Sequence, residues 1–69
     1  DFVTCVRDKA FADIKGAFAI NGVTALIGEK NYFEAAKRIV KHLAKQGIRR
    51  NAWAMAGLLA WWSGQCATA

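Results

Sequence analysis

The two cysteines, Cys5 and Cys66, are the residues best able to do covalent chemistry in this 69-residue chain. They lie near opposite ends and form no CxxC motif, and a single histidine, His42, cannot complete a zinc site. We predict that the pair forms a disulfide, with two separate buried thiols as the alternative. A disulfide implies an oxidising compartment. Closing so long a loop would stabilise a small domain by about 4 kcal/mol.

The remaining polar residues form no enzyme motif. His42 belongs to a basic stretch, where a solvated surface residue is the expected role. Asp8 and Asp13 each have Lys or Arg neighbours, which is typical of surface charge balance rather than of an acid–base pair. The sequence has no glycine-rich phosphate loop and no nucleophile elbow. We therefore expect no enzymatic activity, no metal, no cofactor and no small-molecule substrate.

Length and composition predict how these residues are positioned. A chain this short forms one domain, 1–69. It is 55% hydrophobic and has no proline, alanine is abundant, and the alternation typical of strands is absent. We predict an all-α fold: a compact, monomeric bundle of short helices around a central apolar C-terminal helix, closed by one disulfide.

Two helices are predicted in the first half of the chain. The first runs from about Thr4, its N-cap, to Phe18, and Gly16 weakens its end. Its apolar residues recur at three- and four-residue spacing, as on one face of a helix. These are Val3, Val6, Ala10, Phe11, Ile14, Ala17 and Phe18. A short second helix, 23–27, follows an Asn-Gly turn and stops at Gly28.

The third predicted helix, Tyr32 to Gln46, has the clearest signals. Asn31 is its expected N-cap, with Glu34 completing a capping box. Gly47 is its expected C′ residue, with Ile48 packing back on the helix in a Schellman motif. The predicted buried stripe is Phe33, Ala36, Ile39, Val40, Leu43 and Ala44. The predicted outer face is basic and consists of Lys37, Arg38, Lys41, His42 and Lys45.

The fourth predicted helix, from Asn51 as N-cap to about Ser63, contains eleven consecutive residues without a polar side chain, 52–62. A helix that is apolar all round is expected to be buried on all sides or inserted in lipid. Eleven residues give about 16 Å, too short to cross a hydrocarbon core of about 30 Å. We therefore expect this helix to form the core in water. Its candidate active residues are Trp53, Met55, Leu58, Leu59, Trp61 and Trp62.

The net charge of +5 predicts an anionic partner. The candidate basic surface consists of Lys37, Arg38, Lys41, Lys45, Arg49 and Arg50. It would bind an anionic microbial membrane or cell surface, with the tryptophans at the interface between water and lipid. A solvated face that keeps the chain soluble is an equal alternative. Helices three and four also resemble a helix-turn-helix, but helix four offers no polar side chain to read bases, so we expect no nucleic acid.

Length, layout and the last helix carry a family resemblance. A chain of about seventy residues, with Cys near both ends and the segment Ala-Trp-Ala-Met-Ala-Gly-Leu-Leu-Ala-Trp-Trp-Ser-Gly-Gln-Cys, resembles the disulfide-containing class II bacteriocins of enterococci, among them antifungal enterocins. The Tyr-Gly-Asn-Gly-Val start of pediocin-like bacteriocins is absent, so their receptor mechanism is not implied.

The resemblance implies several properties of this chain. It implies export with a cleaved leader, with which a start at Asp1 agrees, and a bridge between Cys5 and Cys66. It also implies action on other microbes, including suppression of fungal hyphae and biofilm, with 51–65 as the active segment. We predict a secreted, extracellular, cationic antimicrobial peptide. The alternative is a small basic domain that binds nucleic acid or another protein.

Overall fold

The helices of the computed structural model, which describes residues 1–67, follow one another with short connections. They are α1 (Phe2–Lys9), α2 (Ala12–Lys15), a 3-10 turn (Gly16–Ala19), α3 (Val23–Gly28), α4 (Tyr32–Lys45) and α5 (Ala52–Ala67). No strand occurs in this part of the chain. The Cα radius of gyration is 10.8 Å, close to the value of about 11 Å expected for a compact domain of this length. The prediction of a compact all-α fold is confirmed.

A disulfide joins Cys5 to Cys66, with Cα atoms 5.9 Å apart. It connects α1 to the last turn of α5. The predicted pairing is therefore confirmed, and the alternative of two separate buried thiols is excluded.

The single first helix predicted from Thr4 to Phe18 is wrong. The backbone is extended at Ala10, with φ −68° and ψ 151°, and at Phe11, with φ −63° and ψ 154°. The segment is thereby divided into α1, α2 and the 3-10 turn. Asp1 rather than Thr4 caps α1, because the Thr4 N–H donates to Oδ1 of Asp1 at 2.9 Å.

The break has a physical reason in the packing of the two halves of this segment. α1 packs mainly against α5 and also contacts α3, whereas the 3-10 turn packs against α3 and α4, and the extended backbone at Ala10 and Phe11 lets the two halves meet these different partners. Most of the predicted apolar face is still buried, namely Val6, Ala10, Ile14, Ala17 and Phe18. Phe11, which was expected to be buried, lies at the break and is 48% exposed.

α3 ends at Gly28, one residue beyond the predicted end. The left-handed position that closes the helix is occupied by Lys30, with φ 63°. The next N–H, that of Asn31, donates to the Leu26 carbonyl at 2.9 Å. This closure is a Schellman motif with lysine at the position that usually carries glycine.

α4 confirms the predicted C-terminal signals. Gly47 has φ 82°, its N–H donates to the Ala44 carbonyl at 3.1 Å, and the Ile48 N–H donates to the Leu43 carbonyl at 3.0 Å. This is the Schellman motif expected after a helix that stops at glycine. At the other end Asn31 occupies the N-cap position, but its side chain makes no capping hydrogen bond.

The predicted buried stripe of α4 is correct at its centre and wrong at its edge. Ile39, Leu43 and Ala36 are fully buried, whereas Ala44 is exposed. Ala35 is buried instead. The buried face of α4 is therefore rotated from the predicted one, away from Ala44 and toward Ala35.

α5 begins as predicted, because Oδ1 of Asn51 accepts from the Ala54 N–H at 3.1 Å. The expectation that this helix is buried on all sides is wrong, since Trp53 is 73% and Trp61 is 66% exposed. The short helices of so small a chain cannot surround a sixteen-residue helix, and α5 packs mainly on α4 and α1. Its buried residues are Met55, Leu59, Trp62 and Ser63.

The Cys5–Cys66 bridge is expected to provide a large part of the stability. Replacing both cysteines, Cys5→Ser with Cys66→Ser, should lower the free energy of unfolding by about 4 kcal/mol, because the unfolded chain regains the freedom of a closed loop. Urea denaturation followed by tryptophan fluorescence measures the change. Reduction of the unaltered protein serves as the control and should give a similar loss. A denaturation midpoint that does not move on reduction would contradict this role.

The left-handed conformation of Lys30 predicts a stabilising substitution. Lys30→Gly should raise the free energy of unfolding by about 0.5 kcal/mol, because relief of backbone strain exceeds the added freedom of the unfolded chain. Lys30→Ala is the matched control. It removes the same side chain, keeps the strain and should leave stability nearly unchanged. Equal effects of the two substitutions on the thermal midpoint would argue against backbone strain at this position.

Candidate functional site

The outer side of α5 is an exposed helix face without charge. We call it the tryptophan face and define it as Trp53, Ala54, Gly57, Ala60, Trp61 and Gly64, all of which are exposed. At about 1.5 Å per residue, Trp53 and Trp61 lie about 12 Å apart along the helix axis. The residues between them are small, so the two indoles project beyond the surrounding helix surface.

The inner side of α5 belongs to the core. Trp62 is 5% exposed, and the Phe11 ring meets it edge-on with centroids 5.3 Å apart and planes at 88°. Met55 and Leu59 are fully buried, and Leu58 is half-buried. The structure therefore divides the six predicted active residues into three core residues, one at the boundary, and the exposed Trp53 and Trp61.

A stack of side chains connects the tryptophan face to α4. The Trp53 ring lies 4.4 Å from the Phe33 ring, measured between centroids, with the planes tilted by 34°. Nζ of Lys37 lies 5.3 Å from the Phe33 centroid and 3.1 Å from Oε1 of Glu34. An ammonium over an aromatic face is attracted by the ring quadrupole. Trp53 is thus supported from one side while most of its surface stays in solvent.

The outer face of α4 lines an open groove of about 430 Å³. We call it the basic groove; its lining is Ile20, Glu34, Lys37, Arg38, Lys41, His42 and Lys45. Four of these lining residues are cationic and one, Glu34, is anionic. The Glu34 carboxylate is paired with Lys37. Among residues 1–67, no carboxylate lies within ion-pair distance of Arg38, Lys41 or Lys45. The groove therefore carries concentrated, unneutralised positive charge.

Two further contacts order the lining of the basic groove. A Cβ atom at position 22 would lie 3.7 Å from Nη1 of Arg38, so the guanidinium rests against the turn formed by Gly22. The amide of Gln46 donates to Nε2 of His42 at 3.2 Å, one helical turn away. His42 is half-buried and is engaged by its own helix.

The two arginines before α5 have different environments. Arg49 is exposed, whereas Nη2 of Arg50 donates to Oδ2 of Asp13 at 2.6 Å, with about a third of each side chain exposed. The Arg50 guanidinium also lies 5.9 Å from the Phe11 ring. Arg50, predicted as part of a binding surface, holds the connection before α5 against α2. No local pattern could reveal a pair so distant in sequence.

The described part of the chain has neither a metal-binding cluster nor a helix that could span a membrane. None of its groups of His, Cys, Asp and Glu could hold a metal ion. None of its helices is long and apolar enough to cross a membrane.

Comparison with protein-family models, curated proteins and solved structures finds no match for this chain. The tryptophan face and the basic groove are therefore the features from which function is inferred.

The ion pair predicts different roles for the two neighbouring arginines. Arg50→Gln should lower the free energy of unfolding by about 1 kcal/mol, because it breaks a short, charge-assisted hydrogen bond in a half-buried site. Arg49→Gln removes the same charge from an exposed side chain and is the matched control, with little expected change. A double-mutant cycle of Arg50→Gln with Asp13→Asn, measured by urea denaturation, isolates the pair. A coupling energy near zero would refute the contact.

Proposed function

We propose that this protein is an exported, cationic antimicrobial peptide that acts at the anionic surface of competing microbes. The observation that carries the proposal is the tryptophan face. Two large indoles, 73% and 66% exposed, stand on a helix side that has no charge. Large apolar side chains gathered on one exposed face of a small protein indicate an interaction site.

The charge of the molecule supports a lipid surface as the partner. The net charge is +5, and each Lys or Arg near an anionic membrane contributes about 1 kcal/mol of attraction. Indole rings favour the boundary between headgroups and acyl chains, because they are apolar but carry one hydrogen-bond donor. α5 would therefore lie in the plane of the interface with Trp53 and Trp61 inserted, rather than cross the bilayer.

The disulfide and the family resemblance agree with an extracellular peptide. A bridge between Cys5 and Cys66 persists in oxidising surroundings. The resemblance to disulfide-containing class II bacteriocins of enterococci extends the proposal to antifungal and anti-biofilm activity. A nucleic-acid-binding role has weaker support, since the tryptophan face offers no polar side chain to base edges.

Removing the two exposed indoles should abolish most of the proposed activity. Trp53→Ala with Trp61→Ala should weaken binding to phosphatidylglycerol vesicles by about tenfold per tryptophan, which corresponds to about 1.4 kcal/mol each. Inhibition of growth and biofilm in a panel of Gram-positive bacteria and yeasts should fall in parallel. Vesicle co-sedimentation measures binding, and phosphatidylcholine vesicles show how much of it depends on lipid charge.

Trp53→Phe with Trp61→Phe is the matched control. It keeps two aromatic rings on the face and should retain most of the binding and activity. Circular dichroism of both variants verifies that the helices are intact. Full microbial inhibition by the alanine variant would contradict the role of the tryptophan face. Tight binding of the unaltered protein to duplex DNA, without binding to vesicles, would favour the alternative function.

A further inference from the structure

The basic groove carries more positive charge than the fold requires. Lys37, Lys41 and Lys45 follow one another at four-residue spacing on α4, which places them on neighbouring turns of the same side. Like charges at this spacing destabilise an isolated helix. Of these three lysines, Lys37 alone has a carboxylate partner among residues 1–67. Like charges gathered along one groove indicate a site completed by an anion.

The lining of the groove supplies donors that suit the oxygens of a phosphate group. Lys41 and Lys45 supply mobile ammonium donors, and Arg38 supplies a planar guanidinium that can donate to two oxygens of one phosphate. The Arg38 guanidinium lies next to the turn at Gly22, at the wall of the groove. Because α4 is a regular helix of fourteen residues, these donors are spaced by a rigid element.

We propose that the basic groove is a binding site for phosphate groups, and that the phosphate of an anionic lipid headgroup occupies it when the protein lies on a membrane. The assignment to a lipid headgroup rests on the proposed function, whereas phosphate binding by the groove does not. The groove is distinct from the tryptophan face. The basic groove binds the charged part of the lipid, and the tryptophan face enters the apolar boundary beneath it.

Lys37 makes the two surfaces neighbours. Its ammonium lines the basic groove and also lies over the Phe33 ring, which stacks on Trp53. The Phe33 ring therefore contacts both the groove and the tryptophan face. Headgroup phosphates lie above the acyl boundary in a bilayer, and this shared contact allows both surfaces to meet the same leaflet.

The experiment compares two variants that lose the same charge. Lys41→Gln with Lys45→Gln removes two exposed lysines from the groove. Lys9→Gln with Lys15→Gln is the matched control, because both lysines are exposed, lie outside the groove and end their helices, as Lys45 does. Each full-length, disulfide-bonded protein is titrated with soluble glycerol phosphate, followed by amide chemical shifts, and separately with phosphatidylglycerol vesicles.

The soluble titration tests the site itself. Glycerol phosphate should give saturable shifts centred on residues 20–22 and 37–45. Its dissociation constant should rise about tenfold in the groove variant and less than about threefold in the control, since only the former removes direct charge-assisted donors. Arg38→Lys keeps the charge but loses the planar guanidinium that can donate to two oxygens, and it should weaken glycerol phosphate binding several-fold. Equal weakening by both double variants, or shifts spread over the whole surface, would overturn the site.

The vesicle titration tests the lipid assignment. The groove variant should lose vesicle affinity by about the same factor as for glycerol phosphate, while the control loses much less. If glycerol phosphate binds in the groove but vesicle affinity falls equally in both variants, the lipid assignment is overturned and the groove is a site for soluble phosphate. Failure of the proposed function is a separate result: the unaltered protein would neither bind vesicles nor inhibit any microbe.

Discussion

The packing of one side of α5 against α1 and α4 determines the rest of the structure. Leu59 and Met55 occupy the interior with less than 2% of their surface exposed, on the side of α5 that packs against α4 and α1. No other helix among residues 1–67 covers the other side of α5. Because so small a domain buries only a limited share of its surface, two of its three tryptophans stay in solvent, and the exposed face follows directly from this shortage.

Local signals in the sequence predict much of the helical structure. The Asn51 cap, the Gly47 closure and the periodicity of α4 each depend on residues within one or two turns, and the structure has all three. The basic outer face of α4 is predicted for the same reason, since four-residue spacing alone brings Lys41 and Lys45 to one side of a helix. The prediction of one long first helix is wrong because periodicity cannot distinguish one helix from shorter helices that bury the same residues in different directions.

The tryptophan face lies beyond what the sequence predicts. An eleven-residue stretch without polar side chains gives no sign of which side faces water. Packing against α1 and α4 determines which side of α5 is buried. It buries Trp62 and leaves Trp61 beside it exposed. The Arg50–Asp13 ion pair cannot be predicted from the sequence for a related reason: it forms only when α2 and the connection before α5 come together in the fold. The tertiary arrangement thus decides which residues of a uniform segment are available to a partner.

The position of the bridge has a consequence for survival among proteases. Cys5 and Cys66 enclose almost the whole chain, including the exposed connection between α4 and α5. A single cut anywhere inside that loop leaves one covalent molecule, with α5 still attached to α1. The two fragments are held at a high effective concentration, so re-docking of the cut ends is intramolecular. The covalent ring therefore gives the protein tolerance to nicking, a property separate from the stability that the bridge adds to the intact chain.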